Sequence, residues 1–440
     1  MPSDITVGID IGTTSVKALA VDGGGEVVAR ARIPHDAYSP TPDVFEHDAR
    51  KAWVDGPRRA LDELGVSDFA AVAIASLMPN FTAVDAAGMP QTPGLLYGDH
   101  RGRAADATSD PLNSGEFRAM LEWTAKQAPD AHGYWTAPAV AAAAIGGTPV
   151  VDEGTAWALA PLFNGQAWDA EALGAIGISV DQLPAIGAAH TEVGRVRGAI
   201  QIAGAADAWA EGTVAGANTP GDVLVICGTT LIVWCTVADR VKIPGYWTLP
   251  HPLGRHQMVA GASNAGGMFV NWVRRAIGTA GEGPAVSPGA VPIWVPYIRG
   301  ERTPINDPTV RASLHDLDLG QGNAALMRAA YESTAFVARR VIESSGTPPT
   351  RIVASGGGGY DEAWMQALAD GTNLPVDVSA IAEGAAYGAA WHARVGAGLD
   401  KIGDATRWAK VGRRVEPRAD WVEACDRRYQ RWSVLAAPAS

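Results

Sequence analysis

The sequence has few cysteines, no excess of basic charge and no long hydrophobic run. Its three cysteines, Cys227, Cys235 and Cys425, are too few and too irregularly spaced for a disulfide framework or a zinc site. A reducing cytoplasm is therefore the expected location. The formal net charge of −12 argues against nucleic acid or a membrane surface as a partner, because both are acidic and attract basic proteins.

Signals for export, for membrane insertion and for several enzyme classes are also absent from the sequence. The N-terminus lacks the basic and apolar regions of a signal peptide. The most apolar stretch, 223–238, is shorter than a membrane-spanning helix and is interrupted by a Gly-Thr-Thr triplet, so it predicts a buried hairpin. No Gly-Lys pair, HExxH motif or GxSxG motif occurs, which excludes a P-loop and disfavours a zinc or serine hydrolase.

The residues that are present predict a mixed α/β protein. With 47% hydrophobic and 19% charged residues over 440 positions, the composition is that of a globular chain long enough for two or three domains. Apolar and small or polar residues alternate from Ile5 to Ile11, as in a β-strand. Apolar segments at 16–21 and 26–33 follow turn residues, so the opening of the chain predicts a three-stranded antiparallel meander.

The pattern of strand, Gly-Thr-Thr turn and strand recurs about half a chain later. The first copy lies in 5–21, and the second runs from Val223 to Val237. We place a domain boundary near Gly198, which gives domains 1–198 and 199–440. Helices and strands alternate in both halves, and two such halves would be able to hold a polyphosphate in a cleft between their turns.

The first of these turns carries groups suited to metal and phosphate. Asp10 ends the first strand just before Gly12, where its carboxylate can hold Mg²⁺ directly or through water. The hydroxyls and amides of Thr13 and Thr14 suit phosphate oxygens, and Lys17 is long enough to reach a phosphate. The alternatives are that Asp10 and the threonines cap a tight hairpin, and that Lys17 is a solvated strand residue.

Two glycine-containing turns in the second half suit a nucleotide. The second Gly-Thr-Thr turn repeats the first without its carboxylate, and a run of four glycines later joins a strand to a helix. Without Cβ atoms the backbone can approach a ligand closely at the N-terminus of that helix. The alternatives are an ordinary hairpin turn and a flexible loop. The candidate nucleotide-binding residues are Gly228, Thr229, Thr230, Gly356, Gly357 and Gly358.

Asp207 is the candidate general base. Transfer of a phosphoryl group to an alcohol needs a carboxylate that accepts the hydroxyl proton. The small residues around Asp207, in AGAADAWAEG, give a ligand close access to it, so it would act as both a catalytic and a substrate-binding residue. The alternative is that Asp207 caps the N-terminus of a helix over 208–214.

Several motifs together resemble the FGGY carbohydrate kinases, and within them the xylulokinase-like branch, over essentially the whole chain. IDIGTTSVKALAVD is similar to the family's first phosphate motif, and CGTTLIV is similar to its second. VPYIRGERTPINDP, followed by RAAYESTAF, is similar to the family's second signature and is the most specific match. ASGGGGYDEAWMQALADGTNLPV and AEGAAYGAAWHA resemble the adenosine-binding end.

The resemblance implies a fold, cofactors and residue roles. The fold would be a two-domain actin-like ATPase, which is a ribonuclease-H-like duplication with a cleft between the domains, and a homodimer is a family expectation. ATP and Mg²⁺ would be the cofactors. Asp10 would be the metal-linked residue and Asp207 the catalytic base, with phosphate contacts from Thr13, Thr14 and Lys17.

The sugar side departs from the xylulokinase pattern. The usual Met-His-Gly stretch reads Met78, Pro79 and Asn80 here, so a histidine contact to the substrate is lost. The usual Trp-Asn-Asp-x-Arg reads Tyr-Gly-Asp-His-Arg, which keeps Asp99 and Arg101. We expect Met78, Asp99 and Arg101 to help place the sugar, whose identity these departures leave open.

The resulting hypothesis is an ATP-dependent kinase for a terminal hydroxyl of a small ketose or polyol. D-xylulose is the first choice of substrate, and ribulose, erythritol and glycerol are the alternatives. Two rival functions are an ATPase of the same fold that drives a conformational change and a non-catalytic sugar sensor. YIRGERTP argues against the first rival, and the retention of Asp10 and Asp207 argues against the second.

Overall fold

The computed structural model describes residues 3–41, 43–101, 116–157, 159, 162–278 and 286–437, which form two compact units. Unit 1 comprises the described residues up to Val214 together with Glu383–Trp408. Unit 2 comprises Ala215–Ala382 together with the described residues from Ala409 onward. Both units contain helices and mixed sheets, so the predicted α/β class is confirmed.

Unit 1 is built on one large mixed sheet and one small sheet. Along the large sheet the strand order is β11-β10-β13-β6-β1-β2-β3, with β12 beside β13, and along the small sheet it is β4-β5-β8-β7-β9. The strands are β1 (Thr6–Ile11), β2 (Ser15–Val21), β3 (Val27–Pro34), β4 (Ala37–Tyr38), β5 (Glu46–His47), β6 (Ala71–Ser76), β7 (Asn80–Val84), β8 (Gly94–Leu96), β9 (Gly133–Trp135), β10 (Val150–Asp152), β11 (Ala185–Gly187), β12 (Glu192–Val196) and β13 (Ala199–Ala206). The helices are α1 (Gly56–Glu63), α2 (Glu116–Gln127), α3 (Ala137–Ala144), α4 (Glu153–Trp157), α5 (Ala170–Gly174), α6 (Asp207–Val214) and α10 (Gly384–Gly396).

The N-terminal meander forms as predicted. β1 pairs antiparallel with β2, and β2 pairs antiparallel with β3. On its other side β1 pairs in parallel with β6, β6 with β13, and β13 with β10. The C-terminal ends of these four parallel strands therefore lie along one edge of the sheet.

Unit 2 contains a second large mixed sheet, with the strand order β16-β17-β15-β14-β20-β21-β22. The strands of this unit are β14 (Asp222–Cys227), β15 (Leu231–Val237), β16 (Trp247–Pro250), β17 (Gln257–Ser263), β18 (Ile293–Val295), β19 (Ser313–His315), β20 (Arg351–Ser355), β21 (Val376–Ser379) and β22 (Val411–Val415). Its helices are α7 (Gly267–Ile277), α8 (Asn323–Ser344), α9 (Glu362–Thr372) and α11 (Ala419–Leu435).

The two units repeat one arrangement of strands. In unit 2, β14 and β15 form the antiparallel hairpin that the second Gly-Thr-Thr turn predicts, β17 pairs antiparallel with β15, and β20 pairs in parallel with β14. The series β17-β15-β14-β20-β21 thus corresponds to the series β3-β2-β1-β6-β13 of unit 1. The backbone topology therefore contains the duplication that the repeated turn indicates.

The compact units divide the chain after Val214 rather than near Gly198. β13 stays in unit 1 because it pairs with β6 and β10 and continues directly into α6. Helix α10 also lies in unit 1, since it packs against β1, β6 and α6. Pairing between segments far apart in the chain decides both assignments, and a local sequence pattern does not report it.

Apolar side chains fill a separate core in each unit. In unit 2 the long helix α8 is buried along most of its length, and its residues Ala330, Val337 and Val341 belong to the core there. In unit 1, small side chains of β6 pack against Ala385 and Ala389 of α10. None of the described helices is both long enough and apolar enough to span a bilayer.

Helix α10 comes very close to its neighbours because glycines line the contact. A Cβ on Gly8 would lie 1.9 Å from the carbonyl oxygen of Ala386, and a Cβ on Gly388 would lie 1.8 Å from that of Ala210. Both separations are far below van der Waals contact, so at this spacing only glycine fits at either position. The two contacts fix β1, α6 and α10 relative to one another.

Gly388→Ala should destabilise the protein by roughly 1–3 kcal/mol, because the added methyl group forces α10 away from α6. Urea unfolding followed by circular dichroism measures the loss as a lower midpoint. Gly174→Ala, at the end of α5, is the matched control, since a Cβ there meets nothing within 4 Å. It should leave stability unchanged or raise it by up to about 1 kcal/mol. An unchanged midpoint for Gly388→Ala would contradict the close packing.

Candidate active site

The carboxyl edge of the large sheet in unit 1 carries the first group of candidate residues. Ile11 is in register with Ser76, and Ser76 is in register with Ala206. Asp10 therefore lies just before, and Asp207 just after, the level at which these three parallel strands end. Ligands bind at this edge in open α/β sheets. The register thus brings the predicted metal ligand and the predicted base to one edge.

Asp10 and Lys17 form an ion pair across the β1-β2 hairpin. The two residues are paired in register, and Lys17 Nζ lies 3.2 Å from Asp10 Oδ2. The negative charge of Asp10 raises the pKa of Lys17. Asp10 is 4% exposed, and its Oδ1 is buried without a hydrogen-bond partner within the described ranges. Such an oxygen fits a Mg²⁺ ligand, since hard cations prefer carboxylate oxygens.

Glu211 is a second buried carboxylate beside this pair, and sequence reasoning does not identify it. Burial, and after it the charges of Asp207 and Asp10, raises the pKa of Glu211 to about 8. Its Oε1 is buried and has no hydrogen-bond partner in the part of the chain that the structure describes. The available signal was its spacing, because a residue four positions after Asp207 lies on the same face of a helix.

Asp207 is the first residue of α6 rather than a cap that precedes the helix. Its Oδ1 accepts a hydrogen bond of 2.7 Å from the backbone N–H of Ala208. A negative side chain is favoured in the first turn of a helix by the exposed N–H groups and the helix dipole. This position at the start of α6 is compatible with the catalytic role, which stays a prediction, because it also presents a carboxylate at the sheet edge.

Buried aromatic residues hold the first Gly-Thr-Thr turn in place. Thr13 Oγ1 lies 2.9 Å from Tyr97 Oη, and the Thr13 carbonyl oxygen accepts a bond of 2.8 Å from His47 Nε2. His47 Nδ1 in turn accepts a bond of 3.0 Å from the indole N–H of Trp53. Because Trp53 can only donate, the proton of neutral His47 must be on Nε2, where the Thr13 carbonyl receives it.

Two predicted phosphate contacts of this turn are accessible to a ligand. Thr14 is exposed, and the side chain of Lys17 is 31% exposed despite its ion pair. Thr13, in contrast, is 9% exposed and its hydroxyl is already bound to Tyr97. Thr14 and Lys17 are therefore better placed than the Thr13 hydroxyl to meet a phosphate.

The segment Met78-Pro79-Asn80 follows β6 and is tied into the protein. Asn80 is fully buried, its Nδ2 donates a bond of 3.1 Å to Ser76 Oγ, and its Oδ1 accepts one of 2.6 Å from the backbone N–H of Ala137. Pro79 is buried and Met78 is partly exposed. Met78 is therefore the side chain of this segment that a substrate can reach, and Asn80 has a structural role.

Asp99 is buried, and both of its carboxylate oxygens already accept hydrogen bonds. Oδ2 accepts one of 2.8 Å from the backbone N–H of Phe45, and Oδ1 accepts one of 3.0 Å from Arg101 Nε. Arg101 also pairs with Glu46 at 2.6 Å and lies 4.3 Å from the ring centre of Trp123. A sugar contact from Asp99 stays a prediction, and the geometry favours Asp99 as the residue that orients Arg101.

In unit 2 the second Gly-Thr-Thr turn and the glycine run are adjacent, because they follow the parallel neighbours β14 and β20. A Cβ on Gly356 would lie 3.0 Å from the carbonyl oxygen of Cys227, and a Cβ on Gly358 would lie 2.7 Å from the Cβ of Cys227. Gly356 also has a φ of +81°, which favours glycine. Gly357 is exposed, and a Cβ there would meet nothing within 4 Å.

The start of α7 fixes the second turn from the other side. The N–H groups of Gly267 and Met268 donate bonds of 2.8 and 2.9 Å to the carbonyl oxygens of Gly228 and Thr229. Thr229 is partly exposed, and Thr230 is 9% exposed. The turn is therefore rigid, with an accessible threonine, as a phosphate contact requires.

The candidate residues fall into two groups, one in each unit. Unit 1 contains Asp10, Thr13, Thr14, Lys17, Met78, Asp99, Arg101 and Asp207, and unit 2 contains Gly228, Thr229, Thr230, Gly356, Gly357 and Gly358. Their roles remain predictions. The residues that sequence reasoning missed are Glu211, Tyr97, His47 and Asp152. Asp152 is the last residue of β10, and burial raises its pKa to about 6.

His47 should make stability fall as the pH decreases from 6.5 to 4. Burial, with a smaller effect of the His35 ring, lowers the pKa of His47 to about 4, whereas unfolded histidine has a pKa of about 6.5. Between pH 6.5 and pH 4 the folded state binds fewer protons than the unfolded state. The free energy of unfolding therefore decreases as the pH decreases, and His47 accounts for up to about 3 kcal/mol of this decrease. Urea unfolding at several pH values measures the slope.

His47→Gln keeps an amide donor but does not titrate, so it should flatten this dependence. The comparison between wild type and His47→Gln isolates the histidine from the carboxylates that titrate in the same range. An equal loss of stability in both proteins would contradict a neutral, buried His47.

Comparison with known proteins adds to this geometry. Residues 5–116 match the N-terminal domain, and residues 223–397 the C-terminal domain, of the FGGY family of carbohydrate kinases. The chain is 27% identical to a xylulose kinase from Streptomyces rubiginosus, over 92% of this chain and 90% of that protein. It is 25% identical to a gluconokinase from Bacillus subtilis (strain 168), over 83% of this chain and 82% of that protein.

A solved structure has the same fold over nearly the whole length. The crystal structure of a xylulose kinase from Rhodospirillum rubrum superposes with a TM-score of 0.79 at 27% identity, covering 98% of each chain. The predicted two-domain actin-like ATPase fold is thereby confirmed. With both of the family's domains matched in order, the chain belongs to the FGGY family of carbohydrate kinases, which are phosphotransferases that use ATP as the phosphate donor.

Proposed function

We propose that this protein transfers the γ-phosphate of ATP to a terminal hydroxyl of a ketose or polyol, with D-xylulose as the first candidate. The observation that carries the proposal is the strand register that brings Asp10 and Asp207 to one carboxyl edge of the unit 1 sheet. One of these residues has an orphaned carboxylate oxygen suited to a metal, and the other begins a helix at the sheet edge. A kinase for alcohols needs both kinds of carboxylate.

In the proposed reaction Asp207 is the general base. The terminal hydroxyl of the sugar gives its proton to the carboxylate of Asp207, and the resulting oxygen forms a bond to the γ-phosphorus of ATP. The bond between that phosphorus and the bridging oxygen of ADP breaks in line with the attack. The products are the sugar phosphate and ADP, and the proton on Asp207 returns to solvent.

The proposal assigns phosphate contacts within unit 1, and phosphate and adenosine contacts within unit 2. In unit 1, Thr14 supplies a hydroxyl, Lys17 supplies a positive charge and Thr13 supplies its backbone N–H. In unit 2 we assign phosphate contacts to Gly228, Thr229 and Thr230 and adenosine contacts to Gly356, Gly357 and Gly358. The assignment is supported by the adjacency of these two glycine-containing turns and by the open space at Gly357.

Mg²⁺ fits the Asp10 site in this proposal. Asp10 would hold the ion directly or through water, since its Oδ1 is buried and unpartnered in the described part of the chain. The bound ion would offset negative charge on the phosphate oxygens. Lys17 holds the other oxygen of Asp10 at 3.2 Å, so it keeps the carboxylate oriented.

The choice of sugar depends on a small set of side chains in unit 1. Met78 and Arg101 are the partly exposed members of the predicted sugar side, and Asp99 with Glu46 fixes the Arg101 guanidinium. Xylulose is favoured by the relative from Streptomyces rubiginosus and by the related crystal structure. A gluconokinase has nearly the same identity, so gluconate is the acidic alternative.

Compartment and assembly belong to the same proposal. The three cysteines are buried and form no disulfide with a described residue, and burial raises the pKa of Cys235 to about 12. Inert thiols of this kind suit a reducing compartment, so we place the enzyme in the cytoplasm. A homodimer remains an expectation from the family.

Asp207→Asn should lower the turnover number by at least ~10²-fold, because the amide cannot accept the hydroxyl proton. Nucleotide affinity, measured by calorimetry with ADP, should change little. Asp420→Asn is the matched control, since Asp420 is also in the first turn of a helix and is exposed. A turnover close to wild type in Asp207→Asn would remove the base from its role.

A substrate panel with ADP release as the readout should identify the sugar. The panel contains D-xylulose, L-ribulose, L-xylulose, erythritol, glycerol and gluconate. One member should raise ADP release at least ~10²-fold above the rate with water alone, because a bound hydroxyl is held in place for attack. ATP turnover independent of every member would favour the conformational ATPase, and sugar binding without transfer would favour the sensor.

A further inference from the structure

Glu211 has no role in the reaction described so far, although its carboxyl group lies at the candidate active site. It is 6% exposed and is placed one helical turn after Asp207 on α6. A Cβ on Gly384 would lie 2.6 Å from Glu211 Oε1, so the carboxyl group rests against the first residue of α10. The electrostatic neighbours of Glu211 include Asp207, Asp10 and Lys17.

Other buried glutamates of this chain show what a structural role requires. Glu301 is 3% exposed and accepts a bond of 2.7 Å from Ser263 Oγ and one of 2.6 Å from the Arg302 N–H. Glu332 pairs with Arg328 and Arg428, each at 2.7 Å. Glu211 differs from both, because its Oε1 has no hydrogen-bond partner among the described residues.

The surroundings of Glu211 carry more negative than positive charge. Glu211 interacts electrostatically with Asp207 and Asp10, and Lys17 is a cation that interacts with Asp10 and Glu211. Both Asp10 and Glu211 keep an orphaned, buried oxygen. Buried charge that is not matched by the protein is costly, and it is retained where a ligand of opposite charge supplies the match. The required ligand is a cation with a preference for oxygen.

We propose that Glu211 is a second protein ligand, beside Asp10, for the divalent cation that accompanies the phosphates of ATP, which it binds directly or through a water molecule. The proposal deepens the proposed kinase function and rests on it. No set of three histidine, cysteine, aspartate or glutamate side chains within the described residues is arranged to hold a metal alone. This agrees with Mg²⁺, which commonly takes one or two carboxylates and completes its shell with water and phosphate oxygens.

The test is Mn²⁺ binding to the full-length chain without nucleotide or sugar, with free Mn²⁺ measured by electron paramagnetic resonance. Glu211→Gln keeps the shape of the side chain but cannot ionise to a carboxylate ligand, so it should weaken Mn²⁺ binding by ~10-fold or more. Asp10→Asn should weaken binding at least as much. Mn²⁺ should also raise the thermal midpoint of the wild type and raise that of Glu211→Gln much less.

Glu383→Gln is the matched control for charge alone. Glu383 precedes Gly384, acts electrostatically on Lys17 and has a side chain that is 27% exposed, with Arg30 at 3.9 Å. Its removal should change Mn²⁺ affinity by no more than ~2-fold, because water reaches this partly exposed carboxylate and screens its charge. A loss in Glu383→Gln equal to that in Glu211→Gln would overturn the proposal in favour of a general charge effect.

Two further results would overturn the proposal and leave the kinase function standing. One is wild-type Mn²⁺ affinity in Glu211→Gln, and the other is a wild-type protein that phosphorylates its sugar but binds no Mn²⁺ without nucleotide. If Glu211→Gln does not fold, Glu211→Asp replaces it, since it keeps the charge and withdraws the carboxyl group by one methylene. Glu211→Asp should then bind Mn²⁺ more weakly than the wild type, and unchanged affinity would overturn the proposal.

Discussion

Contact between helix α10 and the elements beside it positions the candidate active site of unit 1. Gly8 and Gly388 let the helix backbone meet β1 and α6 at separations that no Cβ would permit. Asp10 is on β1, Asp207 and Glu211 are on α6, and Gly384 begins α10. The distances among the three carboxylates therefore depend on the glycine contacts of α10 and not on bonds between the carboxylates themselves. Because these contacts fix β1, α6 and α10, carboxylate oxygens of the site can stay without hydrogen-bond partners.

The distribution of buried charge separates structural from functional carboxylates in this chain. In unit 2, Asp370 is held by Arg328 at 2.9 Å and by Arg418 at 2.7 Å, and Glu332 is likewise bound by arginines. Each of these charges is matched by the protein itself. At the sheet edge of unit 1, Asp10 and Glu211 both interact with Lys17, and one buried oxygen of each remains without a hydrogen-bond partner among the described residues. A buried carboxylate without a protein partner is tolerated where a ligand of opposite charge binds to it. Ionisable groups with perturbed pKa values therefore cluster at active sites.

Much of the fold could be predicted from the sequence, because alternation, turn residues and a repeated triplet are local patterns. The hairpins around Gly12 and Gly228 formed as expected. The buried state of Glu211 could not be predicted, since AWAEG also suits an exposed helix and the packing of α10 against Glu211 is a tertiary contact. The bonds of Asp99 to Phe45 and Arg101 likewise come from tertiary contacts. The family resemblance predicts the chemistry, whereas the partners of each side chain depend on tertiary packing.

The return of Glu383–Trp408 to unit 1 has a consequence for how the protein is made. While the ribosome is still translating unit 2, the N-terminal segment lacks the helix that covers β1 and α6, and its small-residue surface stays exposed to water. Unit 1 can therefore finish folding only after most of the chain has emerged, so the two units mature together instead of one after the other. An N-terminal fragment that stops at Val214 would lack α10, so it would leave the surfaces of β1 and α6 that α10 covers exposed.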